Sequence, residues 1–551
     1  MPDMRGWTVP AVLEARARDS GDEVFLRMVG GGRTTYAQTF QRARTIGGAL
    51  IELGVEPAEN VVVLAPNSID TVHAWLGINL AGAVEVPLHP GARGTALQHL
   101  LADCDARVVL IDEEFLPRLL EVSGRLPALR TVVVMGNGGA PLPRPAGLRV
   151  VEFARLVAGQ PPATLPTVAA SHAASIIYTS GTSGPPKGVI MPHGQAHVLA
   201  RTAVEGLRMT GRDVYYCYHP LHHMAGKFMA IFASILAGGS VALDVRFSAD
   251  TWLERIRDFG ATVTVAHGPM LEMVHRLPAR ADDADNPLTR VQASPFPARI
   301  AEAFEARFAV RGIEVYGMTE INVPCWRPYD EPLRVGSCGR IRQDLFEMAV
   351  VDPDTDEQLP PGQVGEFVVR PRLPWTGMQG YLNQPAATVR AWRNSWFHTG
   401  DRGRIDADGY VYFVDRASER IRRRAENVSA EEIEAAALTH RGVVDCAAVG
   451  VPSEFEADDD IKLTVVCGEP AVAPEVLLAH LASRLAHHMV PRYVEFRDAL
   501  PRTPTQKVQK AALRADGVAR AWDRYAAGIS VRTLVEDARS GIDGMAGEPA
   551  T

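Results

Sequence analysis

Short β-branched runs alternate with amphipathic segments along the first 400 residues, and this alternation restricts the fold more than any other feature. "YAQTFQRARTIGGALIELG" (36–54) carries apolar residues near i, i+3, i+4 spacing and stops at Gly54. "NVVVLAP" (60–66) is a β-branched run ended by proline, and "TVHAWLGINLAGAVEVPLHP" (71–90) repeats helix then strand. "ARVVLID" (106–112), "RTVVVMG" (130–136) and "ATVTVAHG" (261–268) read as further buried strands. Strands interleaved with helices imply layered α/β architecture with largely parallel sheets. At 551 residues the chain exceeds what one hydrophobic core can serve, so two or more domains are expected.

Composition narrows the function classes. The chain is 46% hydrophobic and 22% charged with a net charge of -8, its acidic and basic residues mixed, which argues against a nucleic-acid surface built on a basic patch. Six cysteines (Cys104, Cys217, Cys325, Cys338, Cys446, Cys467) lie far apart without a CxxC pair, so buried free thiols are expected rather than disulfides or zinc. The start, "MPDMRGWTVPAVLEARARDSG", turns charged at once and shows no apolar core of a signal peptide. The longest apolar stretch, "FMAIFASILAGGSVAL" from Phe228, is broken by Gly238-Gly239, whereas a spanning helix needs about 20 residues. It reads as a helix, a glycine turn and a buried strand. A soluble, cytoplasmic protein is expected, with "GNGGAPLPRPAG" (136–147) as a surface loop.

The pattern changes after about residue 400. "GRIDADGYVYFVDR" (403–416) reads as a hairpin turning at Asp408-Gly409. A basic run, "RIRRRAENVS", then leads into a helix with Ser429 at its N-cap and Glu432 three residues on. "VVDCAAVGV", "IKLTVVCG" and "YVEFRD" supply strands for a small α+β unit. The expected fold class is therefore α/β, a large multi-sheet N-terminal domain (1–416) with a small α+β C-terminal domain (417–515). A tail (516–551) follows, its last residues expected to be disordered.

The stretch "IIYTSGTSGPPKGVI" (176–190) places glycines, hydroxyls and one lysine behind a buried strand. Glycines let backbone N–H groups approach an anion, hydroxyls add donors and lysine adds charge, which makes a phosphate cradle. It is not a Walker A loop, which needs glycine directly before the lysine and Ser/Thr after it. It resembles the signature loop of the adenylate-forming superfamily: acyl- and aryl-CoA ligases, luciferases and peptide-synthetase adenylation domains. "YGMTE" (316–320), "HTGD" (398–401), "DR" (415–416) and "PRTPTQKVQK" (501–510) resemble the family's later motifs in the same order.

The resemblance implies roles. Thr179, Ser180, Gly181, Thr182, Ser183, Gly184 and Lys187 would hold the phosphates of ATP. Tyr316 would offer a face to adenine, Thr319 a hydroxyl to phosphate, and Glu320 a carboxylate to Mg²⁺, a hard cation that takes oxygen. Asp401 and Arg416 would bind ribose. Lys507 would bridge the substrate carboxylate and the α-phosphate; contacts aimed at developing charge are typically worth 10²–10³ in rate, or about 3–4 kcal/mol. "PLHHMAG" (220–226) resembles the segment whose histidine, here His223, borders the carboxylate site. His219 and His222 stand nearby, but the HxxHH spacing without paired carboxylates is poor for metal. Met224, Lys227, Ala293, Ser294 and Gly317 are further candidates for the acyl pocket. Lys227 is unusual there; it either meets an anionic group on the substrate or snorkels to solvent.

Three departures stand out. Gln292, Ala293 and Ser294 replace the usual Gly-Gly-Ala, adding side chains where bare backbone would lie against adenine and acyl group. Ala425, followed by Glu426, replaces the glycine that lines the pantetheine channel in CoA ligases, and the hinge position is Ser418. The resulting expectation, nearest the carnitine-CoA ligase-like branch, is an acyl-CoA ligase using ATP, Mg²⁺ and coenzyme A on a small-molecule carboxylic acid. Its small domain would first deliver Lys507 and then rotate about Ser418 to present Ala425 and Arg422, Arg423 and Arg424 to pantetheine. An enzyme specialised for one half-reaction, or one loading a separate carrier protein, is the alternative.

Overall fold

The computed structural model describes residues 3–136, 138, 141–179, 186–416, 421–423, 426–455, 458–468, 471–501 and 508–535, without the side chains of residues 415, 416, 427, 431 and 511. The chain separates into two compact units: described residues of 1–90, 100–178 and 187–417 form the larger, and those of 91–99, 179–186 and 418–551 the smaller.

Two sheets build the larger unit. In the first, Arg311–Met318, Arg290–Ser294, Val263–His267, Val214–Cys217, Ser240–Leu243 and Val24–Met28 lie side by side and parallel. Beyond Arg311–Met318 the sheet continues antiparallel through Asn322–Trp326, Gly339–Ile341, Tyr410–Arg416, Phe397–Ile405, Gly365–Pro371 and Phe346–Val351. The second sheet runs Gly380–Tyr381, Lys187–Pro192, Ala173–Thr179, Val84–Pro87, Asn60–Leu64, Val108–Asp112, Thr131–Met135 and Arg149–Glu152. From Ala173–Thr179 onward its strands are parallel. The β-branched runs fall on these central strands because both faces are covered, as parallel sheets require.

Helix Ile69–Leu80 explains why "TVHAWLGINL" lacks a polar face: every residue from Thr71 to Leu80 is buried. Trp75 and Phe228 meet edge to face at 5.8 Å in the main core, and each such side chain contributes roughly 1.5–3 kcal/mol by burial. The segment from Phe228 takes the expected course, with one difference. Ala225–Phe232 is a π-helix that passes into the α-helix Ala233–Ala237; Gly238 turns left-handed at φ 80°, and Ser240–Leu243 is the buried strand. Among the described residues no helix is long and apolar enough to cross a membrane. All six cysteines are free, five of them buried and Cys467 half-buried.

The smaller unit packs helices Ala430–Leu438 and Pro474–Ala482 on a sheet of Val443–Pro452, Asp459–Cys467, Tyr493–Phe496 and Trp522–Asp523. The Ser429 hydroxyl accepts the Glu432 N–H at 3.3 Å, as the N-cap reading expects. Asp408-Gly409 makes the hairpin turn in the larger unit, with Gly409 at φ 81°.

Two expectations are corrected here. Residues 516–535 are not a loose tail: Trp522–Asp523 pairs with Tyr493–Phe496, Leu534 is 1% exposed in the small unit's core, and Asp523 takes both arms of Arg492 at 2.9 and 3.1 Å. Arg423 is likewise no pantetheine-facing arginine. It is buried, pairs with Asp460, and donates to the Tyr525 hydroxyl at 2.8 Å, so its charge is consumed inside the unit.

Candidate active site

The carboxyl end of strand Arg311–Met318 supplies the first group of side chains. Tyr316 is buried and its hydroxyl donates to Asp401 Oδ2 at 2.9 Å. Its ring meets Phe367 edge to face at 5.4 Å and lies 6.5 Å from Phe413. Asp401 is brought opposite by the hairpin of Phe397–Ile405 with Tyr410–Arg416. Its N–H donates to Thr399 Oγ1 at 3.0 Å, and that hydroxyl donates to the Phe367 carbonyl at 2.7 Å. Glu366 braces the "HTGD" turn, accepting the Gly400 N–H at 3.0 Å on one oxygen and meeting His398 Nδ1 at 3.0 Å with the other. A buried carboxylate beside a phenol is a fixed acceptor set of the kind a vicinal diol takes. Asp401 and Tyr316 thus fit a nucleoside.

Four residues on, Glu320 is buried, and the Tyr381 hydroxyl donates to its Oε1 at 3.0 Å. The turn is held by backbone and amide contacts: Gln195 Nε2 donates to the Thr319 carbonyl at 2.8 Å, and the Met378 N–H donates to the Glu320 carbonyl at 3.0 Å. Tyr381 pairs with Val189 across the short strand Gly380–Tyr381, which sets Lys187 Nζ 5.0 Å from the centre of its ring. Lys187, Tyr381 and Glu320 therefore form one assembly, a cation over a ring whose hydroxyl holds a carboxylate. Burial first, then the Glu320 charge, pushes the Tyr381 phenol well above its usual range, so it stays protonated and keeps its proton to donate at neutral pH. A carboxylate held by a neutral phenol retains the hard oxygen lone pairs that Mg²⁺ takes, so Glu320 fits the expected cation.

The second group sits at the carboxyl edge of parallel strands, where open α/β sheets bind ligands. His267 ends its strand beside Ser294, with its Nδ1 3.1 Å from the Ser294 carbonyl. The His267 ring lies 4.8 Å from that of His219 and 6.0 Å from that of His223. His223 Nδ1 accepts the Ala225 N–H at 3.3 Å. His219 is buried and its pKa falls well below the ordinary value, through burial first and then His267 and His223. Met224 is buried next to them. Ala293 belongs to an apolar cluster with Tyr218 and Phe296, and Gln292 is buried on the same strand. The added side chains of the "QAS" departure are thus accommodated inside the sheet, with Ser294 half-buried at its edge. Gly317 admits no substitute: a Cβ there would stand 2.2 Å from the Asn322 carbonyl oxygen.

Lys227 corrects its expectation. Its side chain is 1% exposed and paired with Glu85, equally buried, and its Nζ lies 4.7 Å from the Trp75 ring centre. It neither snorkels nor offers its charge to a substrate.

Several expected residues fall outside the described residues: Ser180, Gly181, Thr182, Ser183, Gly184, Ser418, Arg424, Ala425 and Lys507, together with the Arg416 side chain. Thr179 ends its strand, and Glu426 lies half-buried in the hairpin Ile421–Arg423 with Glu426–Val428. Sequence reasoning missed Tyr381, Glu366 and Gln195. Each acts across more than 30 residues of chain, so no local pattern in the sequence singles it out.

Comparison with known proteins fits this geometry. The family described as AMP-binding enzyme matches residues 13–382, and the AMP-binding enzyme C-terminal domain matches residues 432–507. The chain belongs to the AMP-binding enzyme family. The adenylate-forming fold expected from the motifs is therefore borne out in this family member, as is its being an enzyme. It is 29% identical over 489 residues to crotonobetaine/carnitine–CoA ligase of Salmonella paratyphi A, covering 87% of this chain and 93% of that one. Among solved structures, an anthranilate CoA ligase in complex with anthranoyl-AMP is 25% identical with a TM-score of 0.69, over 92% of this chain and 97% of that one. ATP-bound MatB from Rhodopseudomonas palustris is 25% identical with a TM-score of 0.67, over 93% and 98%. An o-succinylbenzoate CoA synthetase from Bacillus subtilis shares the fold at 22% identity with a TM-score of 0.80, over 93% and 99%.

Proposed function

We propose that this AMP-binding enzyme is an AMP-forming acyl-CoA ligase acting on a small-molecule carboxylic acid in the cytoplasm. The observation that carries this reading is a likeness to a named CoA ligase that runs through 87% of the chain, into both matched family regions. In the first step a carboxylate oxygen attacks the α-phosphorus of ATP and pyrophosphate leaves, giving an acyl-adenylate. In the second the CoA thiol sulfur attacks the acyl carbonyl, AMP leaves and the thiol proton passes to solvent.

The chain's residues divide this work. Asp401 and the Tyr316 hydroxyl fix the nucleoside, with the Arg416 side chain at the ribose. Thr319, Lys187 and the loop from Thr179 to Gly184 hold the phosphates. Glu320, steadied by Tyr381, holds Mg²⁺, which supplies charge neutralisation at the phosphates when bound. His223 and Met224, with Ser294 and Gly317, border the acyl group, and Ala293 supports that wall from within. Lys507 bridges the two reacting anions. The domains divide at 416/417; in the second step the smaller domain turns about Ser418, and Ala425 and Glu426 line the path of pantetheine.

Pyrophosphate release from MgATP tests the reading. Release that depends on an added acid, and an acyl-CoA mass that appears only with CoA, is the expected result. Acid-dependent release with no thioester at any CoA concentration would contradict the second step.

A further inference from the structure

A lysine and a glutamate that are both 1% exposed make an uncommon pair, since removing two charges from water is expensive unless geometry and hydrogen bonds compensate. Here they do. Glu85 on strand Val84–Pro87 meets Lys227 Nζ through Oε1, and its Oε2 accepts the Ser175 hydroxyl at 3.0 Å. Trp75 lends its ring face to the same ammonium at 4.7 Å.

The two ends of this contact lie on elements that lead to the sites of the two partners in adenylation, the acid and the phosphates. Lys227 stands in the π-helix Ala225–Phe232, and its N–H donates to the His223 carbonyl at 3.1 Å. That helix seats directly on the chain before it: a Cβ on Gly226 would stand 2.5 Å from the His219 carbonyl oxygen. π-Turns inside helices recur at functional sites. Ser175 stands on strand Ala173–Thr179, paired in register with Glu85, and four residues later that strand enters the glycine-rich segment. One buried ion pair therefore ties the acyl-side helix of one sheet system to the phosphate-side strand of the other.

We propose that the Lys227–Glu85 pair is a positioning device for adenylation, fixing the spacing between the acid-binding and phosphate-binding elements so that the carboxylate and α-phosphate meet in line. The proposal rests on the ligase reading above. Burial lowers the Lys227 pKa and raises that of Glu85, each opposed by its partner, so the charges depend on each other. A small misplacement of reacting groups costs about 10²-fold in rate without preventing binding.

The decisive variant is Lys227→Met with Glu85→Gln in the full chain. It removes both charges at similar volume and keeps an acceptor for Ser175, and charge-free replacement of a buried pair is often neutral for folding. Glu85→Asp is the second variant, retaining both charges but shortening one reach. Pyrophosphate release is followed with MgATP and butyrate, octanoate, benzoate or malonate, alongside thermal melting and the folded fraction. The expected result is a kcat lower by about 10²-fold in the double variant, lowered in the same direction in Glu85→Asp, with the KM values for ATP and acid within about threefold and the double variant still folded. Wild-type kcat in both variants overturns the proposal, as does a loss that merely follows the folded fraction. If the double variant fails to fold, Glu85→Asp decides by the same criteria. No acid-dependent release from the wild-type chain refutes the ligase reading itself, and the proposal with it.

Discussion

Tyr381→Phe isolates one atom of the site. The ring remains, so its packing and its contact with Lys187 at 5.0 Å persist, but the hydroxyl that donates to Glu320 Oε1 at 3.0 Å is lost. Both residues are at least nine-tenths buried, so water does not readily replace the donor. Hydrogen bonds to a charged group contribute about 1.5–3 kcal/mol, and each 1.36 kcal/mol is tenfold in rate. If Glu320 holds its cation in the geometry that Tyr381 sets, kcat/KM for MgATP should fall by about 10- to 150-fold. The KM for acid should move little, because His223 and His267 are carried by other elements, ahead of the π-helix Ala225–Phe232 and at the end of strand Val263–His267. The assay is initial-rate pyrophosphate release at fixed acid, titrating ATP at several Mg²⁺ concentrations. A higher Mg²⁺ requirement in the variant is the diagnostic feature. Unchanged ATP and Mg²⁺ dependence in folded Tyr381→Phe would refute the reasoning from Tyr381 to Glu320.

Further outcomes follow from the same geometry. Lys187→Ala should weaken ATP use far more than acid binding, and unchanged ATP kinetics in that variant would sink the phosphate assignment. Glu314 is buried and its carboxyl is pushed up to about 8 by desolvation; the folded state then binds more protons than the unfolded state between about 4.5 and 8, so stability attributable to this group falls as pH rises through that window. Glu314→Gln should accordingly raise the melting temperature more at pH 8 than at pH 5, and an equal shift at both would contradict the sign. Leu534→Ala should destabilise the small unit by about 2–5 kcal/mol in chemical denaturation, whereas a value near zero would return residues 516–535 to the status of a tail.

What the sequence disclosed depended on the range of the interaction. Ser429, Asp408-Gly409 and Gly238 were legible because caps and turns are decided by neighbours within a few residues. The layered parallel sheets were legible because burial on both faces leaves β-branched runs. Tyr316, Glu320 and Asp401 could be singled out from their motifs, but the bond between Tyr316 and Asp401 spans 85 positions and no local pattern announces it. Lys227 was misread for the same reason: its partner lies 142 residues earlier in the chain. Arg423 sits in a run that looks solvated until Asp460 and Tyr525 are folded against it. Residues 516–535 looked like a fading tail because their anchors are widely spaced, with Trp522 and Leu534 against the apolar core and Asp523 and Tyr525 bound to Arg492 and Arg423 far earlier in the chain.

If one chain carries out both adenylation and thioester formation, both products must be formed in a single reaction. Enzyme, MgATP and a panel of aliphatic, aryl and dicarboxylic acids are incubated with and without CoA, reading pyrophosphate and acyl-CoA mass together. Acid-dependent pyrophosphate is expected in both conditions, with a matching acyl-CoA when CoA is present, from at least one acid. Acyl-CoA formed from supplied acyl-adenylate, with no pyrophosphate released from ATP by any acid, would contradict it.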